Sequence, residues 1–546
     1  MCEEQAGFRK GYGTVDHIFN LKCLVDLYLA RGKKLYCAFV DYKKAFDSVN
    51  RVLLWQKLLR SNINGKMLNV LQNLYRNAKS CVRSGMKCSE FFMSNIGVRQ
   101  GENLSPLLFS IFLNDLTDFL SKAYNGLSDV CEISHLLFDN NDIEVFFKLY
   151  LLLYADDTVI FAESAPELQA ALNAMYLYCE TWKLNVNASK TNVVIFSKSR
   201  NPENLQFTYN NEKLSSVEEF QYLGTLFSRK GNFHKNKTRL VQQARKAMFS
   251  LLRKSRKLNL PVDILLELFD VMVVPILLYG SEVWGYENNK VIESLHLEFC
   301  KHIMKVKKST HNFIVYGELG RVPLQVHINA RMIGFWQKIV SGKREKISRM
   351  LYDIVYNLHK EGVFHSNWLL HVKDVLVSNG FLNHWNEQFI PNNICLSKKV
   401  KTLEKETFTA EWKLNVFNSS KCINYRIFKT DFCLEKYFTI LPCDLVYCLS
   451  KFRCVSHRLP VECGRFLNID RSERLCELCN SNEIGDEFHY IFNCKFFSNE
   501  RSKFLPAEIC KDRNVISFAN LFSSEDRYIL TGLAKFCKIV MSIFKK

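Results

Sequence analysis

Three groups of residues in this 546-residue chain have types and spacing that could do chemistry. In "LLLYADDTVIFAE", from residue 151, Asp156 and Asp157 interrupt an apolar run. An unpaired charge buried there would cost far more than any local contact returns, so metal ions, a basic partner or plain exposure at a turn must accompany the pair. A third carboxylate, Asp41, closes the apolar stretch "KLYCAFV". Joining phosphates needs little covalent help and much charge stabilisation. Two Mg²⁺ roughly 4 Å apart can clamp the attacking and leaving oxygens, and such hard cations take carboxylate oxygens. Asp41, Asp156 and Asp157 supply that inventory. The last group, Cys476, Cys479, His489 and Cys494 in "RLCELCNSNEIGDEFHYIFNC", has the Cys-x2-Cys and His-x4-Cys spacing that suits one tetrahedral Zn²⁺. An accidental Cys-x2-Cys is its plain alternative in a chain with 20 cysteines. Cys454, His457 and Cys463 are alternates, whereas His296, Cys300 and His302 lack a completing pair and read as structural.

The elements around the acids place them. Leu35, Cys37 and Phe39 alternate with Tyr36, Ala38 and Val40, apolar on both faces as in a central buried strand, so Asp41 falls at a strand end. The period then changes, with Val49, Leu53 or Leu54, and Lys57 or Leu58 at helical spacing and Asp47 or Ser48 placed to cap the helix. Capping is explanation enough for Asp47, which is not counted as a ligand. "LLLY" and "TVIFAES" flank Asp156 and Asp157 as two short strands, predicting a hairpin with both acids at its tip. "GVRQGENLSPLLFSIFLNDLTDFL", from 97, reads as a Gly-flanked loop and a helix from Leu107 to Leu120. A helix, a strand and a second hairpin, "VEEFQYLGTLFSRKG", follow the first hairpin. The order predicts an α+β domain on a small antiparallel sheet.

Beyond about 230 the pattern is mostly helical, from the basic stretch "KNKTRLVQQARKAMFSLLRKSRKL" onward, with a further boundary expected in the polar stretch between about 395 and 430. With 48% apolar and 24% charged residues the chain is not a disordered one. Its 74 Lys plus Arg against 55 Asp plus Glu give a net charge of +19, a field that favours a polyanionic partner. The N-terminus "MCEEQAGFRK" has no apolar core of a secretory signal, so clustered cysteines read as metal ligands and the expected location is nuclear or cytoplasmic. The most apolar stretch, "DILLELFDVMVVPILLYGSEVW", carries four acids and a proline and reads as a buried amphipathic helix plus a second apolar segment, so no membrane partner is expected.

"FVDYKKAFDSVN", "GVRQGENLSPLLFSIFLNDL", "YADD", "LNVNASKTNVVIF" and "FQYLG", in that order, resemble the palm motifs of the reverse transcriptases of non-LTR, LINE-type retrotransposons, and "EEQAGFRKGYGTVDHIF" resembles their fingers-to-palm segment. The resemblance implies a right-hand polymerase: partial fingers plus palm over 1–229, a helical thumb and connection over 230–345, a helical linker over 346–450 and a zinc-knuckle-like domain over 451–546. It implies an RNA-directed DNA polymerase with two Mg²⁺ and one Zn²⁺, and RNA template, DNA primer and dNTPs as partners. A catalytically inactive nucleic-acid-binding remnant is the alternative. Carried onto matching positions, Asp41 and Asp156 are the Mg²⁺ ligands with Asp157 in support, and Lys190 protonates or neutralises the leaving pyrophosphate. Phe46 is a steric gate against the ribose 2′-OH or simply a core ring. Gln100 and Gly101 line the nucleotide and template pocket, and Arg9 reaches the triphosphate or pairs with a nearby acid. The chain begins almost at the fingers-to-palm motif, which sets an expectation of limited processivity, and "RQGENLSP" departs from the Cys-Pro pair common in the family.

Overall fold

The structure, a computed structural model, describes residues 1–99, 101–127, 149–200, 205–391 and 393–544. After helix α1 (Thr14–Ala30), strand β1 (Leu35–Val40) is buried along its whole length, as a strand apolar on both faces must be. Next come α2 (Arg51–Arg60), α3 (Ser105–Phe112), α4 (Leu116–Leu120), β2 (Leu151–Tyr154), β3 (Asp157–Ala162), α5 (Ala165–Trp182), β4 (Asn192–Phe196) and β5 (Ser215–Ser216). The five strands form one sheet in the order β5-β4-β1-β3-β2, antiparallel except for β5 beside β4. A separate hairpin joins β6 (Glu219–Tyr222) to β7 (Thr225–Ser228). The α+β order expected from the pattern is therefore present.

One face of the sheet, with Tyr36, Ala38 and Val40, shares a core with Leu54 and Leu58 of α2, Phe109 and Phe112 of α3 and Leu172 and Met175 of α5. On the other face Phe39 stacks on Phe220 of β6 with ring centroids 4.2 Å apart.

Two expectations need correction. Helix α2 is capped by Asn50, whose Oδ1 accepts from Val52 N and Leu53 N, and not by Asp47 or Ser48, which belong to a separate short helix, Ala45–Ser48. The helix expected from Leu107 to Leu120 is two helices. The break falls where the Asp115 carboxylate turns inward to the buried Lys57 ammonium and to Tyr178 Oη, at 2.7 Å from the latter. Satisfying a buried ammonium outweighs continuing the helix.

The chain divides into two compact units, each assembled from separated stretches. The first comprises 1–236, 280–287 and 334–394. Within it, Asp16 of α1 is only 1% exposed and is ion-paired with Lys338 and Lys346 at 2.7 and 2.9 Å, while Phe19 packs on Phe335 and Trp368. Residues 334–394 thus complete the core around α1.

The second unit comprises 237–279, 288–333 and 395–546 and is helical. Its polar stretch from 395 is a helix, Leu396–Asn418, anchored by buried Val400, Trp412 and Val416. A buried ion network links Arg453 to Glu318 and Glu435. His296 sits in the core, with Nδ1 2.7 Å from Glu293 and Nε2 accepting from Arg321 Nε, the structural role its sequence context suggests. Among the described residues no helix is long and apolar enough to cross a membrane.

Candidate active site and metal centre

The sheet register brings the three acids to one place. Val40, the last residue of β1, pairs with Thr158 of β3, so Asp41, just past the strand end, falls at the level of Asp157. Cross-strand neighbours lie about 5 Å apart and project to the same face. Tyr154 pairs with Asp157 across the β2–β3 hairpin, which leaves Ala155 and Asp156 as the two-residue turn. The strand end and the hairpin tip expected from the sequence therefore meet.

Their proximity has an electrostatic cost. Burial and the nearby Asp41 carboxylate raise the Asp156 carboxyl above its usual range. Burial, then Asp156 and Asp41, push Asp157 up to about 6, although its side chain also reaches solvent. Like charges crowded in this way favour a bound cation or proton.

The backbone of Asp41 is fixed by the loop before β4. Its N–H donates to Thr191 Oγ1 at 3.2 Å and its carbonyl accepts from Asn187 N at 2.7 Å. Lys190 is exposed in that loop, directly before Thr191. Phe46 stacks on Phe109 with centroids 4.9 Å apart and stays half-buried. Its carbonyl accepts from Val98 N, and Val49 O accepts from Gly97 N, so the loop that leads to Gly101 is tied to the segment after Asp41. Gly101 has φ +89, a conformation that favours glycine, and the space where a Cβ would stand is open. Gln100 lies outside the described residues. Of the two uses expected for Arg9, the structure displays the acid pair, with Nη2 2.9 Å from Glu3.

The quoted motifs contain Thr191, Asn187 and the segment 4–7 but assign them no individual role; in the structure segment 4–7 runs beside β2 through a parallel bridge between Gln5 and Leu153. Tertiary contact alone identifies them, since the types of these residues carry no signal of their own.

In the second unit, Cys476, Cys479, His489 and Cys494 each offer one ligand atom, all within 4.8 Å of one another. The Sγ separations are 3.9 Å for Cys476–Cys494 and 3.6 Å for Cys476–Cys479, and Cys479 Sγ lies 3.4 Å from His489 Nε2. A tetrahedron with Zn–S of about 2.3 Å has edges of about 3.8 Å, so the donor set fits Zn²⁺. Glu483 Oε2 takes His489 Nδ1 at 2.6 Å, which turns Nε2 toward the sulfurs. Burial opposes ionisation of Cys479, but hydrogen bonds from Ser481, Cys476 and Cys494 outweigh it and bring the thiol down to about 6. Arg501 donates to the carbonyls of Ile491 and Cys494 at 2.7 and 2.8 Å, fixing the turn between His489 and Cys494.

Among the described residues no second His, Cys or acid group closes to this spacing. Asp41, Asp156 and Asp157 share a strand end and a turn without closing so far. His457 is bonded to Glu487 at 2.7 Å and Cys463 is exposed, so the alternate ligands do not assemble.

The N-terminal part of the chain is similar to known proteins. Residues 1–227 match the family described as reverse transcriptase (RNA-dependent DNA polymerase). An RNA-directed DNA polymerase from mobile element jockey of Drosophila funebris is 25% identical over 313 residues, 55% of this chain and 31% of its own. A probable RNA-directed DNA polymerase from transposon BS of Drosophila melanogaster is 27% identical over 299 residues, covering 52% of this chain and 30% of that one. A Pol polyprotein from the type-1 retrotransposable element R2 of Nasonia vitripennis is 25% identical over 236 residues, 42% and 22% of the two chains. The match spans under a third of each relative's length.

Proposed function

From the reverse transcriptase domain at residues 1–227, we propose that this protein is an RNA-directed DNA polymerase of the non-LTR retrotransposon type. It adds dNTPs to a DNA primer on an RNA template, with the sheet as its palm and the helices beyond residue 230 as thumb and connection. The observation that carries this reading is the register of β1 against β3, which sets the end of β1, where Asp41 stands, beside the hairpin that bears Asp156 and Asp157.

Asp41 and Asp156 would hold two Mg²⁺, with Asp157 beside them. The ions supply charge neutralisation at the reacting phosphate when bound. The primer 3′-OH attacks the α-phosphorus of the dNTP as the bond to pyrophosphate breaks. Lys190, exposed at the loop that fixes Asp41, would neutralise or protonate that leaving group. The half-buried Phe46 ring would act as the gate against a ribose 2′-OH, and Gly101 would line the nucleotide and template pocket. Cys476, Cys479, His489 and Cys494 would hold one Zn²⁺ in a knuckle suited to RNA, whose basic and aromatic neighbours offer phosphate pairing and stacking. Such substrates place the work in the nucleus or cytoplasm.

Primer extension on an RNA template with dNTPs and Mg²⁺ tests the reading. Extension by the unmodified chain and none by Asp156→Asn is expected. A chain that binds RNA but extends nothing would instead be the binding remnant.

A further inference from the structure

The turn that presents Asp156 is held from outside the sheet. Ala155, its first residue, has φ +57, left-handed backbone that a residue with a Cβ adopts only under restraint. Both of its main-chain polar groups end on one side chain, that of Gln5, which is fully buried. Gln5 Oε1 accepts from Ala155 N at 3.0 Å and from Gly7 N at 2.8 Å, and Nε2 donates to Ala155 O at 3.4 Å.

The segment carrying Gln5 is itself fixed to β2. Ala6 N donates to Leu153 O at 2.9 Å and Leu153 N to Glu4 O at 2.8 Å. The buried His17 places Nε2 between the carbonyls of Glu4 and Leu153, at 3.0 and 2.9 Å. Gly7 permits the approach, because a Cβ there would stand 2.3 Å from Ala155 N.

We infer that Gln5 is a positioning residue: its side-chain amide clamps Ala155 in the left-handed conformation and so aims Asp156 and Asp157 toward Asp41. The inference rests on the reading of these acids as metal ligands. An apolar side chain of similar length would leave the Ala155 N–H and carbonyl unpaired, and the turn would relax to conformations that splay the acids.

The test uses the full chain labelled with ¹⁵N-alanine, which reports Ala155 at the turn alongside Ala38 and Ala162 within the sheet. In Gln5→Met the Ala155 amide is expected to exchange at least tenfold faster while Ala38 and Ala162 keep their protection. Half-saturation by Mn²⁺, followed by its electron spin resonance signal, should rise at least tenfold. In primer extension, kcat should fall with little change in KM for dNTP.

Ala155 exchange and Mn²⁺ binding within twofold of the unmodified chain would overturn the inference. If Gln5→Met loses protection at Ala38 and Ala162 as well, Gly7→Ala decides: selective loss at Ala155 supports the clamp and unchanged exchange overturns it. If the unmodified chain shows no Mn²⁺ binding sensitive to Asp156→Asn, the metal-site reading fails, and exchange at Ala155 still decides whether Gln5 holds the turn.

Discussion

The acid turn of the first unit and the thiol cluster of the second both crowd side chains that could hold a cation, yet they are built in opposite ways. Asp41, Asp156 and Asp157 stand at the strand ends of a five-stranded sheet whose core closes without them, and their charges oppose one another. Cys476, Cys479, His489 and Cys494 come from a knuckle and a single turn, on a segment tied down by buried Tyr490 and Phe492 and by the hydrogen bonds of Arg501. On the proposed reading, folding in the first case creates a site that would take a cation for its chemistry. In the second, a cation would be part of what makes the segment fold.

The largest effects bear on that contrast directly. Asp156→Asn should lower primer extension on the order of 10³-fold while leaving the melting temperature nearly unchanged, as activity and calorimetry on one preparation would show. A large loss of stability would mean that the turn carries structure as well as chemistry. Zinc removal or Cys479→Ser should do the reverse in the second unit. Residues 474–497 should lose hydrogen-exchange protection, since structural Zn²⁺ contributes on the order of 10 kcal/mol to small motifs, while the sheet around β1 stays protected.

A smaller change sharpens the second site. Glu483→Gln keeps the fold but weakens the partner of His489 Nδ1, and Zn²⁺ affinity in a chelator competition should drop about 10- to 100-fold. At the first site, Phe46→Ala should reduce the preference for dNTP over rNTP by about tenfold or more in paired kcat/KM measurements. A discrimination left unchanged would make Phe46 a core ring, consistent with its stack on Phe109.

The smallest effect concerns pH. Asp157 titrates near 6 in the folded protein against an ordinary value of 3.8, so the native state holds its proton more tightly than the unfolded chain does. Its contribution to metal-free stability should therefore decline as pH rises from about 4 to about 6, and the deficit is complete above that. Mg²⁺ should accordingly raise the melting temperature more at pH 7 than at pH 5. Equal gains at both would remove the crowding of Asp41, Asp156 and Asp157 as its cause.

Much of the first site was legible because its elements declare themselves locally. The uninterrupted apolar run of β1 and the paired acids between two short strands are patterns of neighbouring residues, and so is the spacing of the four zinc-type ligands. What escaped depends on residues far apart in the chain. Nothing near Asn50 distinguishes it from Ser48 as a cap until Val49 is seen buried. Asp115 reads as one more helix residue until Lys57 arrives beneath it, 58 positions away in sequence. Gln5 and Ala155 are separated by 150 residues, and neither type announces the bond between them.

The position of β1 at the middle of the sheet has a genetic corollary. Most of residues 35–40 can be respelled with other apolar side chains at modest expense, since the strand is buried on both faces. Deleting or inserting one codon there would rotate every later side chain through half a turn of the pleat and send Asp41 to the wrong side. Lineages that keep the catalyst should therefore vary the letters of this strand freely and never its count.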